Sequence, residues 1–312
     1  AVARMAATKL KDPSGRFAYV SEVWNNAETA GNMSRRGYLQ AGVEFLGVSG
    51  AFSDAQAIAF AVECMKETGL DDFTVDVGHV GFFKGLLSGL GVNEEYTEKV
   101  RVSINAKDSM GTMLALKEAG VDGRAAEALL SLPSLFGGEE VFSRAEKLTE
   151  DKGALSALEH LKKVHALLKE FGLEKYVSFD LGTVKSLSYY SGIVFTGLTG
   201  ALGAPVLSGG RYDYLADDFG KHIPAVGFAM GLKRILMALE RKGKVEKLPA
   251  PDAVIVAKEG AEATAYREYL RLTGERKTAD LYTGSEKEGI RYAAERNAKC
   301  VLVAEKEGVK RL

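Results

Sequence analysis

The chain has 312 residues, enough for two domains, and its 46% apolar and 27% charged composition excludes a disordered or collagen-like polymer. Lys+Arg 41 against Asp+Glu 42 leave a net charge of −1, which argues against a protein that grips nucleic acid through a general basic excess. No apolar run approaches the roughly 20 residues that cross a bilayer, and residues 1–20 lack a signal-peptide pattern, so no membrane contact and a cytoplasmic location are expected.

Cys64 and Cys300 lie far apart within apolar patterns and read as two buried thiols of a reducing compartment. His79, His160, His165 and His222 show no metal-ligand spacing, so neither a metal site nor another cofactor is expected. His160 and His165 lie on a helix near Glu159 and Lys162 and read as surface or flank positions.

In chain order, Ala1 to Leu10 is a helix in pattern from its first residue, without an initiator Met, as if an upstream piece of the domain preceded it. Asp12-Pro13-Ser14-Gly15 breaks it. Phe17 to Trp24 and Gly37 to Gly47 alternate as strands on either side of the polar loop Asn25 to Arg35, which predicts an antiparallel hairpin. Ser53 with Gln56 reads as a capping box opening a helix to about Thr68, stopped by Gly69, with Ala57, Phe60, Ala61, Cys64 and Met65 on its buried face. A short strand, Phe73 to Val77, runs into Gly78-His79-Val80-Gly81 and a helix to about Leu90.

From about 94 to 150 short helices follow one another without visible chemistry, as an insertion would. Ala154 to Phe171 is a stronger amphipathic helix ended by Gly172. Strands are predicted at Val177–Leu181, Tyr189–Thr196 and Pro205–Leu207, then a Ser208-Gly209-Gly210 turn and a short helix from Arg211 to Phe219. Ala225–Met230 is a strand leading into a helix from Gly231 to about Arg241. The stretch reads as an α+β antiparallel sheet with helices behind it. Gly243 to Pro251 has linker composition, and residues 249–312 alternate β-α-β-α-β as a small α/β domain beside a larger domain over 1–248.

Three stretches depart from plain core patterning. In Arg36-Gly37-Tyr38-Leu39-Gln40-Ala41-Gly42-Val43-Glu44, the period of two puts Gln40 and Glu44 on one strand face with Gly42 between them. That pattern suits a floor for a small ligand or a merely solvated face. Tyr189-Tyr190-Ser191-Gly192 offers phenol hydroxyls to a ligand, or is a pair of ordinary strand aromatics. Ser208-Gly209-Gly210-Arg211-Tyr212-Asp213 allows close backbone approach, while Arg211 and Arg234 fit surface ion pairs equally well.

In this order the three stretches resemble the class II aminoacyl-tRNA synthetase core in its histidyl version, through the strings YYSGIVF, GGRYD and PAVGFAMGL. The resemblance covers about residues 1–245, and the tail is similar to a small anticodon-binding domain. It implies a six-stranded antiparallel sheet flanked by helices, and a dimer. It also implies that Gln40 and Glu44 face a histidine, that Glu44 and Tyr190 hydrogen-bond its ring nitrogens, and that Tyr189 and Tyr212 line the pocket. The family's acidic ligand for the α-amino group lies upstream of Ala1.

The departures from that family bear on function. Adenylation builds negative charge on a phosphate, and synthetases meet it with bidentate arginines. One such arginine follows an aromatic at the end of the first hairpin strand, where this chain has Trp24 and then Asn25; another stands four residues before the paired tyrosines, where it has Lys185. Ser186 and Ser188 replace a Gly and an acidic residue, while Arg36 and Arg234 remain. Asn25, Arg36, Lys185 and Arg234 thus mark a vestigial nucleotide site. A body that keeps the histidine pocket and loses the adenylation clamp resembles the regulatory-subunit family of ATP phosphoribosyltransferase, as do the strings DVGHVGFFKGLL and GYLQAGVE. This resemblance implies a non-catalytic partner of the short-form catalytic subunit that senses L-histidine in the first step of histidine biosynthesis. It also implies a dimer within a hetero-octamer, with no tRNA bound. A divergent histidyl-tRNA synthetase is the alternative.

Overall fold

The computed structural model describes residues 2–24, 37–184, 189–245 and 249–312. The chain divides into two compact units, Ala1–Val245 and Glu246–Leu312.

The first unit opens with helix α1 (Val2–Lys9) and the hairpin β1 (Gly15–Trp24) and β2 (Gly37–Leu46). Helix α2 (Ala51–Glu67), strand β3 (Phe73–His79) and helix α3 (Val80–Leu87) follow. Four helices come next, α4 (Glu94–Asn105), α5 (Ser109–Glu118), α6 (Gly123–Ser131) and α7 (Glu140–Glu146), with the two-residue strand β4 (Phe136–Gly137) between the last two. The unit ends with α8 (Lys152–Glu170), β5 (Val177–Asp180), β6 (Ile193–Thr199), β7 (Leu202–Arg211), β8 (Ala225–Gly231) and α9 (Leu232–Arg241).

These strands form one eight-stranded sheet in the order β1-β2-β8-β7-β6-β3-β5-β4. Side chains alternate between its faces, and the pairing registers carry that alternation from strand to strand. One face collects Val43, Phe45, Phe228, Leu207, Phe195, Val75, Val77 and Phe179, which pack with α2 and α8 into the main core. Phe195 and Phe179 there are almost wholly buried, and such a side chain contributes about 1.5–3 kcal/mol on leaving water. The opposite face carries Tyr19, Gln40, Gly42, Glu44, Gly227, Ala229, Ser208 and Gly210 in matching registers. Helix α1 covers one end of that face, where Ala6 and Ala7 join Leu46, Tyr212 and Ala225.

The second unit holds β9 (Ala253–Ala257), α10 (Glu262–Gly274), β10 (Ala279–Thr283), α11 (Glu286–Glu295), β11 (Val301–Glu305) and β12 (Gly308–Arg311). Its sheet runs β10-β9-β11-β12, with parallel pairs on both sides of the fully buried β9. A capping box between Ser285 and Glu288 starts α11. β12 turns back antiparallel on β11 as an addition to the expected β-α-β-α-β order.

The structure departs from the sequence pattern at several places. The sheet is mixed and eight-stranded instead of six-stranded and antiparallel, because β5 runs parallel to β3 and the short β4 adds an edge. Ser208-Gly209-Gly210 is no turn, since β7 runs through it, and only a 3-10 turn at Asp217–Phe219 stands where a helix from Arg211 was expected. Gly209 is glycine for room: a Cβ there would lie 2.5 Å from Phe195 Cζ and 2.6 Å from Phe228 Cβ. Tyr189–Gly192 precede β6, their backbone drawn to Arg211 by the Ser191 N–H at 2.9 Å from its carbonyl. The N-cap of α2 is Gly50, and Ser53 sits inside the first turn, donating to the Gly50 carbonyl at 2.9 Å. Phe60 is 46% exposed, and both cysteines are half-buried free thiols instead of fully buried.

Candidate functional site

The candidate site lies on the less covered face of the large sheet. The hairpin register sets Gly42 opposite Tyr19 and Glu44 opposite Phe17, and the next strand sets Gly227 opposite Glu44. Glycine at these positions lets larger neighbours lie flat on the sheet. A Cβ on Gly42 would lie 2.3 Å from the Tyr19 phenol, one on Gly227 only 1.8 Å from Glu44 Oε2, and one on Gly210 2.7 Å from the Tyr190 ring. Three glycines therefore make the floor on which one carboxylate and two phenols rest.

Hydrogen bonds fix these groups. Gln40 Nε2 donates to Tyr19 Oη at 2.6 Å, and Tyr212 Oη donates to Glu44 Oε2. The tyrosine rings make a wall, with Tyr189 edge-on to Tyr190 at 4.6 Å and stacked on Tyr212 at 5.6 Å. Tyr212 is buried, whereas Tyr189 is 41% exposed and forms the rim.

Burial pushes the Glu44 carboxyl up to about 7, against the pull of the Tyr212 hydroxyl. Burial also raises Tyr190 to about 12, with Glu44 adding to the rise, and raises Tyr189, Tyr212 and Tyr19. The phenols thus stay protonated as donors while the carboxyl changes charge near neutrality. Such a set can recognise a small ring carrying one donor and one acceptor nitrogen. Farther along the same face, in register between Ser208 and Asp76, the hydroxyl of Thr196 is buried without a hydrogen-bond partner among the described residues.

The structure brings Gln40, Glu44, Tyr189, Tyr190 and Tyr212 to this one face. Arg234 is exposed on α9 and spends Nη1 on the Pro205 carbonyl at 2.6 Å. Asn25, Arg36 and Lys185 lie outside the described residues. Tyr19 is the site residue that sequence reasoning missed, although counting back along the hairpin from its loop places it opposite Gly42. Arg211 is no surface ion pair: it is 5% exposed and bound to Asp54 at 2.6 Å. His160 is no surface histidine either, since its Nε2 lies 2.6 Å from the other oxygen of Asp54. Among the described residues no three His, Cys, Asp or Glu side chains come together as metal ligands, and no helix is long and apolar enough to cross a membrane.

Fold and site together define a histidyl-tRNA synthetase-like chain, and residues 1–235 match the family model described as histidyl-tRNA synthetase. A histidyl-tRNA synthetase from Nostoc sp. PCC 7120 shares the fold at a TM-score of 0.69 and 20% identity, over 98% of this chain and 75% of that one. Sequence comparison is more particular. The ATP phosphoribosyltransferase regulatory subunit of Acetivibrio thermocellus is 41% identical over 94% of this chain and 71% of that protein; that of Syntrophotalea carbinolica is 34% identical over 97% and 71%. The crystal structure of an ATP phosphoribosyltransferase regulatory subunit/histidyl-tRNA synthetase from Bacillus halodurans C aligns at a TM-score of 0.75 and 28% identity, over 97% of this chain and 77% of that one. The chain belongs to the ATP phosphoribosyltransferase regulatory subunit family.

Proposed function

We propose that the chain is a non-catalytic, cytoplasmic regulatory subunit that activates a short-form ATP phosphoribosyltransferase catalytic subunit and makes it responsive to L-histidine. The relatives' names supply the partner. The chemistry of the glycine-floored face supplies the effector. Glu44 accepts one ring N–H of the imidazole, and the Tyr190 phenol meets the other ring nitrogen. Gln40 faces the bound histidine, and Tyr189 and Tyr212 close the ring in. Histidine then shifts the complex towards low activity because it binds that state more tightly. Assembly is a dimer of this chain within a hetero-octamer. The observation that carries the reading is Glu44, poised by burial at about 7 beside phenols that stay protonated.

The same reading makes Asn25, Arg36, Lys185 and Arg234 the remnant of a nucleotide clamp. Asn25 cannot neutralise a phosphate, and Lys185 lacks the planar fork of arginine. The test combines histidine calorimetry on the chain with transferase assays in its presence and absence. Histidine binding by the chain, and activity that rises with the chain and falls on adding histidine, are expected. Robust histidine-dependent exchange of pyrophosphate into ATP by the chain alone would contradict the non-catalytic assignment.

A further inference from the structure

The two faces of the large sheet are tied together at the end of β7. Consecutive residues there point to opposite faces, so Tyr212 reaches Glu44 while Arg211 enters the packed side. The Arg211 guanidinium donates to Asp54 Oδ1 from Nε at 2.9 Å and from Nη2 at 2.6 Å. It also donates to Ser53 Oγ at 2.7 Å, to the Val48 carbonyl at 2.9 Å and to Asp213 Oδ1 at 2.9 Å. Asp54 is wholly buried in α2, and its Oδ2 meets His160 Nε2 of α8 at 2.6 Å. His160 is the outer end of this chain of contacts, its side chain 26% exposed.

The same arginine organises the backbone that carries the tyrosines. Its carbonyl accepts the Ser191 N–H at 2.9 Å. Gly192 packs on its side chain so closely that a Cβ would lie 3.0 Å from Arg211 Cδ. Asp213 donates its N–H to Ser191 Oγ at 3.0 Å and accepts the Ala225 N–H at 3.2 Å. Arg211 therefore meets the segment bearing Tyr189 and Tyr190 through its carbonyl and aliphatic stem, while its guanidinium holds Asp213 next to Tyr212. A buried ion pair is a poor device for stability alone, since well-packed apolar residues commonly do as well. Its use here fits a demand for position.

We infer that Asp54, Arg211 and His160 form a positioning device that holds the tyrosine wall in binding geometry and couples the occupied site to helix α8. The inference rests on the proposed histidine site, and the experiment separates the two. Calorimetry with L-histidine compares the unaltered chain with Glu44→Gln, Arg211→Lys, His160→Leu and His160→Gln. Arg211→Lys keeps the charge but lacks the fork that spans Asp54, Ser53 and Asp213, so histidine binding weakens at least about tenfold. His160→Leu weakens it by roughly five- to tenfold, whereas His160→Gln, whose amide can still donate to Asp54, stays within about twofold of the unaltered chain.

The split between dissociation constant and number of competent sites isolates positioning from folding. A purely structural lesion lowers the fraction of competent chains and leaves the constant of the folded ones unchanged. If His160→Leu and Arg211→Lys lose only competent sites while Glu44→Gln loses affinity, the positioning role is overturned and the histidine site stands. If the unaltered chain binds no histidine, the site falls and the positioning role falls with it. Should Arg211→Lys fail to fold, the pair of variants at half-buried His160 decides the question.

Discussion

The two faces of the eight-stranded sheet are written in the same strands yet built to different rules. On the packed face, Phe195, Phe228, Val77 and Phe179 fill the space against helices and leave water out. On the other, Gly42, Gly227 and Gly210 give up their side chains so that Tyr19, Glu44 and Tyr190 can lie on the backbone. The first face holds the fold. The second holds a carboxyl away from its ordinary charge state, which costs stability. Fold and site are thus separated by side-chain parity, one residue apart along each strand.

The largest effect belongs to the packed face. Truncating Phe195, which is wholly buried, is expected to cost about 3–5 kcal/mol in denaturant unfolding. Chains that remain folded should keep their histidine affinity. A loss of affinity larger than the unfolded fraction explains would blur the division between the faces.

A smaller effect belongs to the other face. Glu44 is raised from 4.5 to about 7 in the folded chain, so folding strengthens its hold on a proton. Its contribution to stability is full below the unfolded value near 4.5 and is lost as pH rises through about 7. Glu44→Gln should remove this loss and leave the variant more stable than the unaltered chain at pH 8, by up to about 3 kcal/mol. Parallel pH–stability curves for the two proteins would show that the carboxyl is not strained there. The smallest effect is that of Tyr19→Phe, which deletes the hydroxyl that accepts from Gln40. Stability should change by no more than about 1 kcal/mol, and histidine affinity by a few-fold, measured by thermal melting and calorimetry. A change beyond tenfold would make Tyr19 a direct ligand contact.

The site was legible in the sequence where period-two alternation alone decides it. Gln40, Gly42 and Glu44 share a face whatever the strand pairs with, and the hairpin that presents them follows from two alternating runs and a polar loop. What escaped depends on partners distant in sequence. The parallel pairing of β5 with β3 spans an unrelated helical stretch, so nothing local encodes it. Gly209 and Gly210 read as a turn because glycine commonly marks one, yet here they make room for Phe195 and Tyr190. Arg211 and His160 read as surface groups because a polar side chain carries no local sign of a buried partner, and theirs, Asp54, lies on α2, far off in sequence.

The proposed histidine sensing rests on Glu44 on the glycine floor. It is tested most directly by assembling the catalytic subunit with the Glu44→Ala chain and measuring transferase activity against L-histidine. An assembled, activated complex that no longer responds to histidine is expected. Inhibition by histidine identical to that of the unaltered complex would contradict it.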